Sequence, residues 1–151
     1  MRIIPFEPRH AVAWRTLNEA WIRRWFTIEA KDRETLDDPE GTVLGKGGRI
    51  FIAEHEGEAV GCVAMIPMKD GGFEVAKMAV AQSARGRGVG RLLMQACVRA
   101  GREAGAARLY LETNSKLAPA LKLYQSTGFR ELEPAEPSAY RRCDVWMELP
   151  L

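Results

Sequence analysis

The sequence predicts an α/β (α+β) domain built on one mixed sheet, with antiparallel strands first and a parallel pair after them. Two observations carry this. Residues 49–54 and 59–68 are strand-like runs on either side of a His55-Glu56-Gly57-Glu58 turn, the pattern of an antiparallel hairpin. Residues 73–80 and 107–113 are strand-like runs separated by one amphipathic helical run. Such a strand–helix–strand crossover sets its two strands parallel, with a right-handed connection. The length supports a single domain over residues 1–151, large enough to bury a core of its own.

The elements follow in order. Residues 1–6 read as a short first strand. Pro8 opens a helical stretch in which Trp14, Leu17, Trp21, Ile22 and Trp25 recur at helical spacing. The polar segment 29–40 holds a second short helix around residues 33–36, and Pro39-Glu40-Gly41 is expected to break it. After the hairpin, Asp70-Gly71-Gly72 turns the chain into strand 73–80. The helix from Val89 is the clearest element. Leu92, Leu93, Ala96, Cys97 and Ala100 share a face, while Arg91, Gln95, Arg99 and Arg102 point mostly away. Strand 107–113 leads to a short helix with Leu117, Ala120, Leu121 and Tyr124 on one face. Ser115 is its expected N-cap, Pro119 fits its first turn, and Gly128 ends it. Residues 129–131 and 141–149 read as the final strands.

Between strand 73–80 and the helix lies Arg85-Gly86-Arg87-Gly88-Val89-Gly90. Glycine lets a backbone turn tightly and approach a ligand with no Cβ in the way. A helix that starts there points its free amide N–H groups and the positive end of its dipole into the turn. Strand end, glycine turn and helix start together make a phosphate site, with Arg85, Arg87 and Arg91 adding charge. No Gly-Lys-Ser/Thr follows a glycine at P-loop spacing, and the third glycine comes one residue early for G-x-G-x-x-G. A glycine-rich turn with no ligand is the alternative. Parallel strands that begin side by side can splay where their hydrogen bonding ends, and a long thin ligand could enter that gap.

Composition is ordinary for a globular protein, with 46% hydrophobic and 28% charged residues. A net charge of +2, with basic residues scattered outside the turn, gives no nucleic-acid footprint. No apolar run approaches the ~20 residues of a membrane span. Met1-Arg2-Ile3-Ile4-Pro5 lacks a signal-peptide pattern. The expectation is a cytoplasmic protein with no nucleic-acid and no membrane partner. Cys62, Cys97 and Cys143 are widely spaced, and His10 and His55 lie near none of them, so neither a metal site nor a disulfide framework is expected. Cys62 and Cys97 fall on apolar faces as reduced core residues.

With these residues in place, the chain resembles the GNAT superfamily of acyl-CoA-dependent N-acetyltransferases. Arg85, Gly88 and Gly90 fill the defining places of its R/Q-x-x-G-x-G/A loop. Glu74-Val75-Ala76-Lys77-Met78-Ala79-Val80 is similar to the strand before that loop. Leu111-Glu112-Thr113-Asn114 and the run from Leu121 to Phe129, ending in L-Y-x-x-x-G-F, are similar to its later segment. The resemblance is continuous from about Phe73 to Phe129.

It implies a strongly twisted sheet of about six or seven strands with about four helices. It also implies acetyl-CoA as cosubstrate, no metal, and an amine acceptor. Amides from Arg85 to Arg91 (Arg85, Gly86, Arg87, Gly88, Val89, Gly90, Arg91) would hold the diphosphate. Backbone of Met78, Ala79 and Val80 would pair with pantetheine as an added strand. Asn114 would bond the pantetheine or the adjacent backbone, with a turn or capping role as the alternative. Late strands that pair family members allow a homodimer.

Acyl transfer to an amine needs a neutral nucleophile, and a free alkyl amine has a pKa of ~10.4. It also needs a donor to the thioester oxygen and a proton for the thiolate. The resemblance assigns that proton to Tyr124, whose alternative is a core tyrosine on a helix face. It places Glu74 as base, beside the alternative of a solvent-facing strand residue. Glu112 is the second candidate and bulk water the third. The backbone N–H of Met78 is the expected oxyanion donor.

On the acceptor side, Trp21, Trp25 and Phe26 lie among Arg23 and Arg24, mostly as core residues, with one or two of them candidates to line the acceptor pocket. Glu29, Asp32, Glu34, Asp37, Asp38 and Glu40 form an acidic stretch that attracts a cationic amine or is simply solvated. Tyr140, Arg141 and Arg142 point the other way, toward a carboxylate. The choice between small amine, amino acid and protein acceptor stays open here. So does the rival reading, a non-catalytic acyl-CoA-binding module on the same fold.

Overall fold

The computed structural model describes residues 1–134 and 136–151. Its strands are β1 (Arg2–Pro5), β2 (Arg49–His55), β3 (Glu58–Pro67), β4 (Phe73–Val80), β5 (Arg108–Thr113), β6 (Arg130–Glu131) and β7 (Val145–Pro150). Its α-helices are α1 (Ala11–Trp25), α2 (Ala30–Asp37), α3 (Pro39–Thr42), α4 (Val89–Glu103) and α5 (Ala118–Thr127). The strands form a single 7-stranded sheet in the order β1-β2-β3-β4-β5-β7-β6. Only β4 and β5 run parallel among its neighbours.

The hairpin turns on Glu56 and Gly57, with φ of 52° and 81°. Two left-handed residues in a two-residue loop match the twist of the flanking strands. A core lies on each face of the sheet. On one face, Val89, Leu93 and Cys97 of α4 pack against Val63, Met65, Leu109 and Met147. On the other, Trp14 and Ile22 of α1 and Leu36 of α2 pack against Ile50, Ile52, Cys62 and Ala79. No helix among the described residues is long and apolar enough to cross a membrane.

The structure differs from expectation at four points. α2 does end at Asp37, just before Pro39, but helical structure resumes at once: Pro39 opens α3, where a missing N–H is harmless, and Asp38 caps that turn by accepting from Gly41 N at 3.0 Å. Leu92 is 37% exposed, and Met94 is buried instead on the inner side of α4. Ser115 is not the N-cap of α5: its N–H and hydroxyl both donate to Asp144 at 2.8 Å, and Leu117 holds the cap position with no side-chain bond. Residues 141–144 lie outside the last strand, because Asp144 N reaches back to Thr113 O and turns the chain before β7 begins.

Candidate active site

β4 and β5 are paired only at Phe73↔Leu109 and Glu74↔Tyr110. Beyond these two pairs the strands part. A cleft of about 560 Å³ opens between the later residues of β4 and β5, with α1 on one side and the starts of α4 and α5 on the other. Glu74, Met78, Glu112, Asn114 and Tyr124 all line it.

The register between β3 and β4 slips between Cys62 and Ala64, and Lys77 sits at φ 57°. One extra residue in β4 inverts its inside–outside alternation. Phe73 and Val75 face the α4 core before the bulge, and Met78 and Val80 face it after. Ala79 faces the α1 core instead. Lys77 is thereby turned to the same side as α2. Met78 and Val80 line the cleft, whereas the Ala79 side chain is 1% exposed and outside it. The apolar spacing Phe73, Val75, then Met78, Val80 carries this shift of parity in the sequence itself.

At the wide end lies the glycine turn. Gly86 and Gly88 have φ of 77° and 76°, a left-handed geometry that costs other residues about 1–2 kcal/mol each. A Cβ at either would meet nothing within 4 Å, so the space above them is open to a ligand. Gly88 is the N-cap of α4 and offers no side-chain bond, which leaves the first amides of this 15-residue helix directed outward. Arg85 stacks on Trp21 at 5.4 Å, and its Nε is buried with no hydrogen-bond partner among the described residues. Arg91 donates to Ser126 Oγ at 3.0 Å, tying α4 to α5. These features fit a diphosphate: a concave backbone, a helix dipole and an unsatisfied buried donor. The Arg87 side chain does not line the cleft; it lines a separate hollow together with His55, Glu56 and Glu58.

Two carboxylates meet on the floor. Burial, then repulsion from Glu112, pushes Glu74 up to about 7. No hydrogen bond reaches Glu74 among the described residues, whereas Glu112 accepts from the hydroxyls of Tyr110, at 2.8 Å, and Ser138. The two candidate bases thus differ: Glu112 is held by neutral donors and Glu74 is free to exchange a proton. Tyr124 packs against Phe129 with ring centroids 6.1 Å apart, and burial pushes its phenol up to about 12. Asn114 is committed to protein backbone, donating to Arg142 O at 2.6 Å and accepting from Lys116 N at 2.8 Å.

A buried charge network closes the cleft beyond these groups. Asp32, fully buried on α2, accepts from Lys77 Nζ at 2.8 Å, from Arg142 Nη1 and Nη2 at 2.8 and 2.7 Å, and from Glu29 N at 2.8 Å. Burial by itself would raise this carboxyl. The bonds from Arg142, Lys77 and Glu29 N together outweigh it and hold Asp32 at about 2. Lys77 also donates to Tyr140 Oη at 3.0 Å, and burial lowers its pKa against the pull of Asp32. The sequence leaves the acidic stretch holding Asp32 between attracting an amine and being solvated, and offers Lys77 only as a partner of Glu74; in the structure Lys77 pairs with Asp32 instead. The parity shift in β4 is the signal that could have found Lys77; nothing local marks Asp32 as its partner.

Residues 12–129 match the pattern of the Acetyltransferase (GNAT) family. The chain is similar to an IAA acetyltransferase of Azospirillum brasilense, 36% identical over 104 residues, which are 68% of each protein. Two other relatives are matched over 55% and 62% of their own lengths. In fold, it is similar to a GNAT-family acetyltransferase of Staphylococcus aureus, with a TM-score of 0.89 at 20% identity over 99% of this chain and 98% of that one. It is similar also to YncA of Salmonella typhimurium, solved with acetyl-CoA, with a TM-score of 0.75 at 18% identity over 99% and 93% of the two chains.

Proposed function

The chain belongs to the acetyltransferase (GNAT) family, and from that premise we propose that it transfers the acetyl group of acetyl-CoA to a primary amine by direct attack. The divergence of β4 from β5 after two residue pairs carries this reading, since it opens a narrow cleft from the glycine turn to Glu74 and Tyr124. Amides at Gly88–Arg91 hold the diphosphate, and Met78 and Val80 flank the pantetheine. Acetyl-CoA brings an activated acyl thioester.

Glu74 accepts a proton from the acceptor's ammonium, leaving a neutral amine. The Met78 N–H, at the bulge, donates to the carbonyl oxygen as it gains charge. As the N–C bond forms and the C–S bond breaks, Tyr124 gives its proton to the departing thiolate. The second proton shed by the nitrogen restores the tyrosine through solvent. The balance is one ammonium and one thioester to one amide, one thiol and one released proton. A phenol raised to about 12 keeps its proton at neutral pH, as an acid in this role must.

Direct attack is favoured over an acetyl-cysteine route by the state of the thiols. Cys62 and Cys97 are buried, burial pushing the Cys62 thiol up to about 12. Cys143 lines the cleft, but burial raises its thiol too. A thiolate is the nucleophilic form, and these settings suppress it.

The test is thiol release from acetyl-CoA in the presence of a primary-amine panel, with calorimetry of acetyl-CoA binding. Amine-dependent release with saturable binding is expected. Binding without release on any amine would favour the non-catalytic module; no binding at millimolar acetyl-CoA overturns both.

A further inference from the structure

We infer that the acceptor is a primary arylalkylamine: a cationic nitrogen on a broad apolar body, with no carboxylate beside the nitrogen. This rests on the acetyltransferase reading and specifies its second substrate. Two independent features carry it, the wall of the cleft and the disposition of charge at its acceptor end.

The wall comes from α1 and the loop before β7. Trp21, Ile22 and Phe26 line one side and Tyr140 another. The Trp21 and Phe26 rings with Ile22 give apolar surface that suits a ring, whereas the Tyr140 ring is already engaged by Lys77 at 4.4 Å and Arg142 at 4.6 Å. Lys116 lies over the Phe26 ring at 5.1 Å, so the strap after β5 reaches across to the end of α1.

The charges decide between an amine and an amino acid. A carboxylate would need a free cation, and the two that line this end are already taken. Lys77 Nζ, on a side chain 5% exposed, is bonded to Asp32 and Tyr140. Arg142 spends both terminal nitrogens on Asp32 and reaches Glu29 at 3.2 Å. Lys77 and Arg142 are thus matched by Asp32 and Glu29. Glu74 and Glu112 remain, with no ion pair to either among the described residues. The uncompensated charge at this end is negative, carried by Glu112 and by Glu74 when it is ionised. It attracts an ammonium and repels a carboxylate attached one carbon away. Arg142, which with Tyr140 and Arg141 suggests a carboxylate reader in the sequence, is instead a strut between α2 and the loop before β7.

The experiment measures kcat/KM at saturating acetyl-CoA for matched pairs that differ by one carboxylate: tryptamine against tryptophan, and phenethylamine against phenylalanine. Each amine is expected to exceed its amino acid by about 100-fold, the order of effect of a like-charge juxtaposition in a binding site. In Glu112→Gln, one of the two repelling charges is gone, and that ratio is expected to fall by about tenfold. Equal or reversed preference in the wild-type protein overturns the inference. So does failure of both amines with protein that binds acetyl-CoA by calorimetry. Absence of acetyl-CoA binding overturns the acetyltransferase reading itself, a result that calorimetry separates from a wrong acceptor class.

Discussion

Arg142 and Asp32, 110 residues apart, are joined by two hydrogen bonds of 2.8 and 2.7 Å, with the carboxylate fully buried. This pairing fastens α2 to the loop before β7 and sets one wall of the cleft. Removing one side of a buried pair leaves the other charge without compensation, at a cost of about 3–5 kcal/mol. Asp32→Ala is therefore expected to lower the melting temperature by well over 5 °C, measured by calorimetry. A change below about 1 kcal/mol would mean that Lys77 and Arg142 find water in the folded state.

Acid stability follows from the same carboxylate. Asp32 is held at about 2 in the fold against an ordinary value of 3.8, so its contribution is complete above pH 4 and is lost as pH falls toward 2. Glu74 acts in the opposite sense: raised to about 7 from 4.5, it favours the fold in acid and withdraws that help as pH rises between those values. Urea titrations from pH 2 to 8 are expected to show a steep acid limb that Asp32→Asn flattens and a shallow decline toward neutrality that Glu74→Gln removes.

Catalysis has its own pH signature. Glu74 must be ionised to take a proton, so kcat/KM is expected to rise through an apparent pKa near 7. Glu74→Gln displaces the rise to higher pH, toward the ~10.4 of a free amine. An unchanged profile would transfer the role to Glu112 or to water.

Tyr124→Phe is expected to reduce kcat by about 10²-fold while leaving acetyl-CoA affinity within a factor of a few. The ring keeps its packing on Phe129, and the hydroxyl makes no hydrogen bond among the described residues, so stability is expected to hold. Wild-type turnover, with the chemical step rate-limiting, would exclude the acid role.

Gly88→Ala probes the diphosphate cradle. The added Cβ meets nothing within 4 Å, but φ of 76° is unfavourable for alanine by about 1–2 kcal/mol. Calorimetry is expected to show acetyl-CoA binding more than tenfold weaker, with the melting temperature of the ligand-free protein lowered by about 2–8 °C, the amount that the backbone strain alone accounts for. Unaltered affinity would place the diphosphate elsewhere.

The glycine turn, the strand before it and the helix bearing Tyr124 were legible because each depends on residues close together in the chain. Alternation, capping and left-handed glycines leave marks within a few positions. The charge network was not legible for the converse reason. Asp32 stands in a run of polar residues that reads as solvated, and only the fold brings Lys77 and Arg142 to it. Asn114 was left between ligand and backbone, and it is the backbone that receives its amide. Trp21 is half-buried against Arg85, a contact between α1 and the glycine turn that no local pattern announces.

Because only two residue pairs stitch β4 to β5, the sheet has a seam running through its middle. A force pulling its two halves apart meets few backbone bonds along that line. A molecule lodged there, bonded to both banks, works as a rivet. Protection of β4 and β5 amides from deuterium exchange is expected to rise together when acetyl-CoA is added, while the β2–β3 hairpin, paired along its length apart from one bulge, changes little.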